Sequence, residues 1–132
     1  MPHTSSCLIV DDDPQVHDRV TAVLAAFGYV VHCASNAADA LRLSAQSMPD
    51  LLLTSVMLPD SDGLNLASQL RAVSAKLTVV YMSASSDAVR VSGALDAGSS
   101  SLRKPFGPEQ LADAVARLIP PRTAPCATDG AR

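Results

Sequence analysis

Apolar positions along the chain fall into two kinds of stretch that alternate. One kind is short and unbroken: Cys7-Leu8-Ile9-Val10, Tyr29-Val30-Val31-His32-Cys33, Leu51-Leu52-Leu53-Thr54-Ser55 and Leu77-Thr78-Val79-Val80-Tyr81-Met82. Runs of this length predict strands buried on both faces. Ser100 to Arg103 reads as a short, weak fifth strand. The other kind repeats at three- and four-residue spacing and predicts helices. Val16, Val20, Val23, Leu24 and Phe27 form the first helix, with Asp13 as its cap, Pro14 at its first position and Gly28 just past its end. Ser35 or Asn36 caps a second, through Ala37, Ala40, Leu41, Leu43 and Ala45. It stops before Met48-Pro49, because a residue before proline avoids the helical region. Leu58 to Gly63 is a loop by composition. Leu64, Leu66, Ala67, Leu70 and Val73 then make a third helix, a fourth runs from about 87 to 97, and Leu111, Ala112, Val115 and Leu118 line one face of the last.

This alternation predicts an α/β chain whose parallel sheet is covered on both sides. Right-handed crossovers leave few topologies. At this size the flavodoxin-like (βα)5 arrangement follows, a parallel five-stranded sheet in the order 2-1-3-4-5. The 132 residues suit one domain. We divide them into an N-terminal tail over 1–6, a folded domain over 7–119 and a flexible tail or linker start over 120–132. The chain is 48% hydrophobic and 17% charged, a globular balance, and with 3% aromatics its core must be aliphatic. A formal net charge of −3 offers no basic footprint for direct nucleic-acid binding. No apolar run approaches the roughly 18 residues of a membrane span, and no signal-peptide pattern opens the chain. A cytoplasmic protein is therefore expected, with no membrane partner and with Cys7, Cys33 and Cys126 as reduced thiols. Cys7 starts one strand and Cys33 ends its neighbour. A stagger of three residues separates them by about 10 Å, beyond the roughly 7 Å a disulfide allows.

A sheet of this order carries its ligand site at the carboxyl ends of the strands, beside the switch point between strands 1 and 3. Strand 1 delivers Asp11, Asp12 and Asp13 there, strand 3 Ser55, strand 4 Ser83 and strand 5 Lys104. Adjacent carboxylates repel unless a cation lies between them, and a hard divalent ion such as Mg²⁺ relieves that cost. A lysine and a hydroxyl opposite can hold phosphoryl oxygens.

These residues resemble the motifs of a known family. Ile9-Val10-Asp11-Asp12-Asp13-Pro14 is similar to the acidic start of bacterial response-regulator receiver domains, the CheY-like superfamily. Pro49 to Gly63 resembles their third strand and following loop, Met82-Ser83-Ala84 their strand 4 hydroxyl motif, and Lys104-Pro105-Phe106 their strand 5 motif. The resemblance covers roughly Cys7 to Leu118. It implies that Asp11, Asp12 and the backbone carbonyl of Met57 are the metal ligands, that Ser83 and Lys104 contact the phosphoryl group, and that Pro105 follows a cis bond. It also implies a non-enzymatic module of two-component phosphorelay signalling. Its partner would be a sensor histidine kinase or another signalling protein, and its contact surface, available for a homodimer too, helix 4, strand 5 and helix 5.

The sequence departs from the family twice. Ser55 stands where the family has its phosphate-accepting aspartate, with the register fixed upstream by Pro49-Asp50 and downstream by Met57-Leu58-Pro59. Ser101 stands where an aromatic or histidine normally reports activation. A serine hydroxyl needs a neighbouring base to become a nucleophile. His3, His17 and His32 are expected to lie elsewhere, and Asp11 and Asp12 to be occupied by metal. The expected protein is a receiver that is not phosphorylated, or only poorly, that binds Mg²⁺ weakly and that acts by protein–protein interaction. Two alternatives stand beside it: phosphorylation at Ser55 or another acid, and a small Mg²⁺-dependent phosphatase using Asp11 as nucleophile.

Overall fold

The computed structural model of the chain describes residues 6–83, 99–104 and 106–118. Its elements are β1 (Ser6–Val10), α1 (Pro14–Ala26), β2 (Val30–Ala34), α2 (Ala37–Gln46), β3 (Leu51–Ser55), α3 (Gly63–Val73), β4 (Thr78–Ser83), β5 (Ser99–Arg103) and α4 (Pro108–Leu118). Here α4 is the last of the predicted helices. The helix expected over 87–97, the bond before Pro105, and residues 1–5 and 119–132 lie outside the described residues, while Ser6, placed in the N-terminal tail by the sequence reading, is the first residue of β1. The strands form one parallel sheet in the order β2-β1-β3-β4-β5, the expected flavodoxin-like topology.

Strand residues divide by parity between two cores, because successive side chains point to opposite faces. Leu8, Val10, Leu52, Val79 and Tyr81 pack with Ala37, Ala40, Leu66, Ala67 and Leu70 of α2 and α3. Cys7, Ile9, Leu51, Leu53, Val80 and Met82 pack with Val20 and Leu24 of α1 and Leu111, Ala114 and Val115 of α4. All five residues of β3 are buried, as a central strand between covered faces requires. The caps explain the helix starts. Asp13 accepts a hydrogen bond from the Gln15 N–H, and Asn36, not Ser35, accepts one from Asp39. Gly28 adopts φ 89° after α1, the left-handed turn that favours glycine.

Three expectations change. β2 runs from Val30 to Ala34, so Tyr29 precedes it. Asp62 and Gly63, read as loop, are the N-cap and first residue of α3. Cys33 pairs in register with Ile9, so its stagger from Cys7 is two residues and not three. About 6.6 Å along the strand and about 4.8 Å across give roughly 8 Å, still too far for a disulfide, and both thiols are free. Burial, and then Cys33 nearby, push the Cys7 thiol well above its ordinary range, which keeps it protonated and inert.

Candidate functional site

The carboxyl ends of β1, β3 and β4 and the residue after β5 meet at one edge of the sheet. Asp11 leaves β1 with its N–H donating to the carbonyl of Ala34 at the end of β2 (3.1 Å). Its side chain is only 1% exposed. Both carboxylate oxygens are engaged: Oδ1 accepts the Asp13 N–H at 2.9 Å and Oδ2 accepts the Lys104 ammonium at 2.7 Å. Lys104 is placed by its backbone, whose N–H donates to the carbonyl of Ser83 at 2.8 Å and so carries the β4–β5 pairing one step further. From there its Nζ reaches past the ends of β4 and β3 to Asp11 and also donates to Ser55 Oγ at 3.3 Å. Asp11, Ser55 and Lys104 are thus one hydrogen-bonded set, drawn from strands separated by up to 93 residues.

Ser55 and Ser83 end adjacent strands and both are buried. Asp12 sits next to Asp11 but faces solvent. Met57 lies two residues past Ser55, bridged to Asp62, with its side chain 60% exposed. Ser101 is not part of this set. It pairs with Tyr81 within β5 and lines, with Leu102, Lys104, Phe106 and Asp113, a cleft of about 440 Å³ beside α4.

Several neighbours were not legible as site residues. His17, expected elsewhere, has its Nε2 hydrogen-bonded to the backbone carbonyl of Asp11. One turn of α1 brings the ring back over the end of β1. Thr54 Oγ1 donates to the carbonyl of Ser55 at 2.9 Å. The Gly63 N–H donates to the carbonyl of Val56 at 2.7 Å, closing the β3–α3 loop on itself. Asp60 spans to another element: its two carboxylate oxygens accept the N–H groups of Ala37 and Ala38, at 2.9 and 3.0 Å. It thereby anchors the loop after Ser55 to the first turn of α2, where the helix dipole favours an anion.

The Ala37 and then the Ala38 hydrogen bonds hold the Asp60 carboxyl below its ordinary value. A folded-state pKa below the unfolded one stabilises above the unfolded value, about 3.9 for Asp, and the contribution is lost as pH falls through the folded pKa. The wild type is therefore expected to exceed Asp60→Asn in stability at pH 7, with the gap closing under strongly acid conditions. Denaturant melts of both proteins between pH 7 and pH 2 measure it, and a gap that persists at the acid end would count against the capping role.

The donor set fits a divalent cation poorly. Among the described residues no three His, Cys, Asp or Glu side chains come together as metal ligands. Asp11 has an internal donor on each oxygen, Ser55 offers a neutral hydroxyl, and of the pair Asp11 and Asp12 it is Asp12 that is exposed. Hard cations gain affinity from ligand charge, and the Lys104 ammonium already cancels one charge here.

Residues 7–116 match the sequence pattern of the response regulator receiver domain. The chain is 38% identical over 114 residues to the response regulator MprA of Mycobacterium ulcerans, covering 85% of this chain and 49% of that protein. It is 31% identical over 124 residues to the DNA-binding transcriptional regulator NtrC of Azospirillum brasilense, covering 93% of this chain and 26% of that one. The chain thus spans about half or less of these curated relatives. A solved structure of a putative response regulator from Chloroflexus aurantiacus superposes with a TM-score of 0.78 at 31% identity, over 88% of this chain and 98% of that one. On the extent of the sequence match and the shared architecture, the chain belongs to the response regulator receiver domain family.

Proposed function

We propose that this chain is an atypical receiver domain in which Ser55 occupies the phosphoacceptor position and phosphotransfer is absent or crippled. As a member of the receiver domain family, the chain is read as a signalling module that works with a sensor histidine kinase, and not as an enzyme in its own right. In this reading the domain serves a two-component pathway by binding a kinase or another signalling protein, in the cytoplasm and without direct contact to nucleic acid. The output surface is the fourth predicted helix with β5 and α4, available also for a homodimer. Ser101 supplies no aromatic reporter on that surface.

One observation carries the reading: the hydroxyl of Ser55 is held by the Lys104 ammonium, which is itself paired with Asp11. A hydroxyl becomes a nucleophile when a base takes its proton. An ammonium has three donors and no acceptor, so the group against Ser55 cannot serve as that base. Asp11 is committed to Lys104 and to the Asp13 N–H, and His17 is hydrogen-bonded to a backbone carbonyl. Without the acceptor carboxylate the site also loses a charge, so Mg²⁺ binding by Asp11, Asp12 and the Met57 carbonyl is weaker than in an ordinary receiver. The test is incubation with acetyl phosphate, or with a phosphorylated histidine kinase, followed by intact mass measurement. No added phosphate is expected. A stable one-phosphate gain at Ser55, or an acid- and base-labile gain elsewhere, overturns the reading.

A further inference from the structure

We infer that Lys104 stands in for the divalent cation: its ammonium neutralises buried Asp11 and makes the folded domain indifferent to Mg²⁺. The inference rests on the reading of Ser55 as a neutral acceptor position, and concerns what that neutrality does to the rest of the site. Burying a carboxylate to 1% exposure is costly unless an opposite charge is paired with it. The counter-charge present is Lys104, 2.7 Å from Oδ2, with its side chain 30% exposed. A second carboxylate at position 55 would compete for the same ammonium, because Ser55 Oγ lies only 3.3 Å from Nζ. Serine does not compete. It accepts one N–H of the ammonium and leaves the charge to Asp11, so the pair is balanced one against one. The remaining oxygen of Asp11 accepts the Asp13 N–H at 2.9 Å, so each oxygen already holds an internal donor, and a cation at this carboxylate would have to share it with the Lys104 ammonium. Mg²⁺ therefore competes with the Lys104 ammonium for Asp11, against like-charge repulsion, and the other member of the acidic pair, Asp12, is exposed.

The tie joins the residue following β1 to the residue following β5, across the ends of β3 and β4. Its loss should be felt in stability, with the missing charge replaceable from solution. Thermal melts of the full chain are compared in EDTA and in about 10 mM Mg²⁺. For the wild type we expect midpoints within about 1 °C of each other. For Lys104→Met we expect a midpoint about 5 °C or more lower in EDTA, with at least half of the loss recovered in Mg²⁺. The double variant Asp11→Asn/Lys104→Met removes the stranded charge and is expected to regain stability without Mg²⁺ and to ignore it when added. Should Lys104→Met fail to fold in EDTA, refolding in Mg²⁺ and the folded double variant carry the same comparison. A wild-type midpoint that rises several degrees with Mg²⁺ overturns the inference, as does a Lys104→Met protein that Mg²⁺ does not stabilise. These outcomes are independent of phosphorylation: a phosphate on Ser55 would sink the functional reading and leave the melts to decide this one.

Discussion

Replacing Ser55 with aspartate is expected to convert a domain that ignores Mg²⁺ into one that depends on it. The new carboxylate would enter the reach of the Lys104 ammonium, 3.3 Å from the present hydroxyl, and would compete with Asp11 for it. In EDTA that leaves an uncompensated negative charge in a site whose members are largely buried, so Ser55→Asp should be less stable than the wild type. With Mg²⁺ the sign reverses. Two unit charges about 4 Å apart interact by about 4 kcal/mol at the effective dielectric of such sites. Even a third of that makes Mg²⁺ binding about tenfold tighter. The same variant should acquire phosphate from acetyl phosphate, because it supplies a carboxylate nucleophile beside a lysine and a Ser83 hydroxyl already at the strand ends. Mg²⁺ titration calorimetry and intact mass read the two effects. A Ser55→Asp protein with wild-type Mg²⁺ affinity would mean that Asp11 and Asp12 are not arranged around a common cation position.

The second large effect concerns Gly63. As the first residue of α3, it would be improved by alanine on helix propensity alone, by about 1 kcal/mol. Contact geometry opposes this. A Cβ at position 63 would lie 2.2 Å from the carbonyl oxygen of Ser55 and 2.9 Å from Thr54 Oγ1. The first of these is backbone and cannot rotate away. Either the 2.7 Å bond from the Gly63 N–H to Val56 breaks or the end of β3 moves. Overpacking of this kind costs about 3 kcal/mol, which outweighs propensity and lowers the melting midpoint by roughly 10 °C or less after the propensity gain. Because the clash falls on Ser55 itself, Gly63→Ala should also disturb the Lys104 contact. A melt showing equal or greater stability would mean that the loop from Val56 to Asp62 is looser than its hydrogen bonds imply.

The strands were the most legible part of the fold. Continuous apolar runs such as Leu51-Leu52-Leu53 can only be satisfied by cover on both faces, and the two cores on either side of β3 are that cover. Chain order then brought Asp11, Ser55, Ser83 and Lys104 to one edge, because the topology leaves their strands parallel and adjacent. What sequence could not specify is which charged group satisfies which. Lys104 selecting Asp11 over solvent, and Asp60 reaching the first turn of α2, depend on side chains meeting across 93 and 22–23 residues of chain. The Asp60 contact had a partial signal: an acidic loop after β3 and a helix start after β2 share one edge of the sheet in this topology. His17 had less, since an α1 residue reaching back to the backbone of Asp11 depends on how the chain turns through Asp12 and Asp13. Gly63 was read as loop punctuation because glycine marks turns. Its reason here is the closeness of the Ser55 carbonyl, which no local pattern contains.

The central claim is that position 55 cannot host a phosphoryl group in the way an acceptor carboxylate does. Isothermal titration of the wild-type chain with beryllofluoride in saturating Mg²⁺, with Ser55→Asp as the positive control, tests it most directly. This phosphoryl mimic needs an acceptor carboxylate, so the account predicts no saturable heat from the wild type and one-to-one binding by Ser55→Asp. Stoichiometric, Mg²⁺-dependent binding of beryllofluoride by the wild type would contradict it.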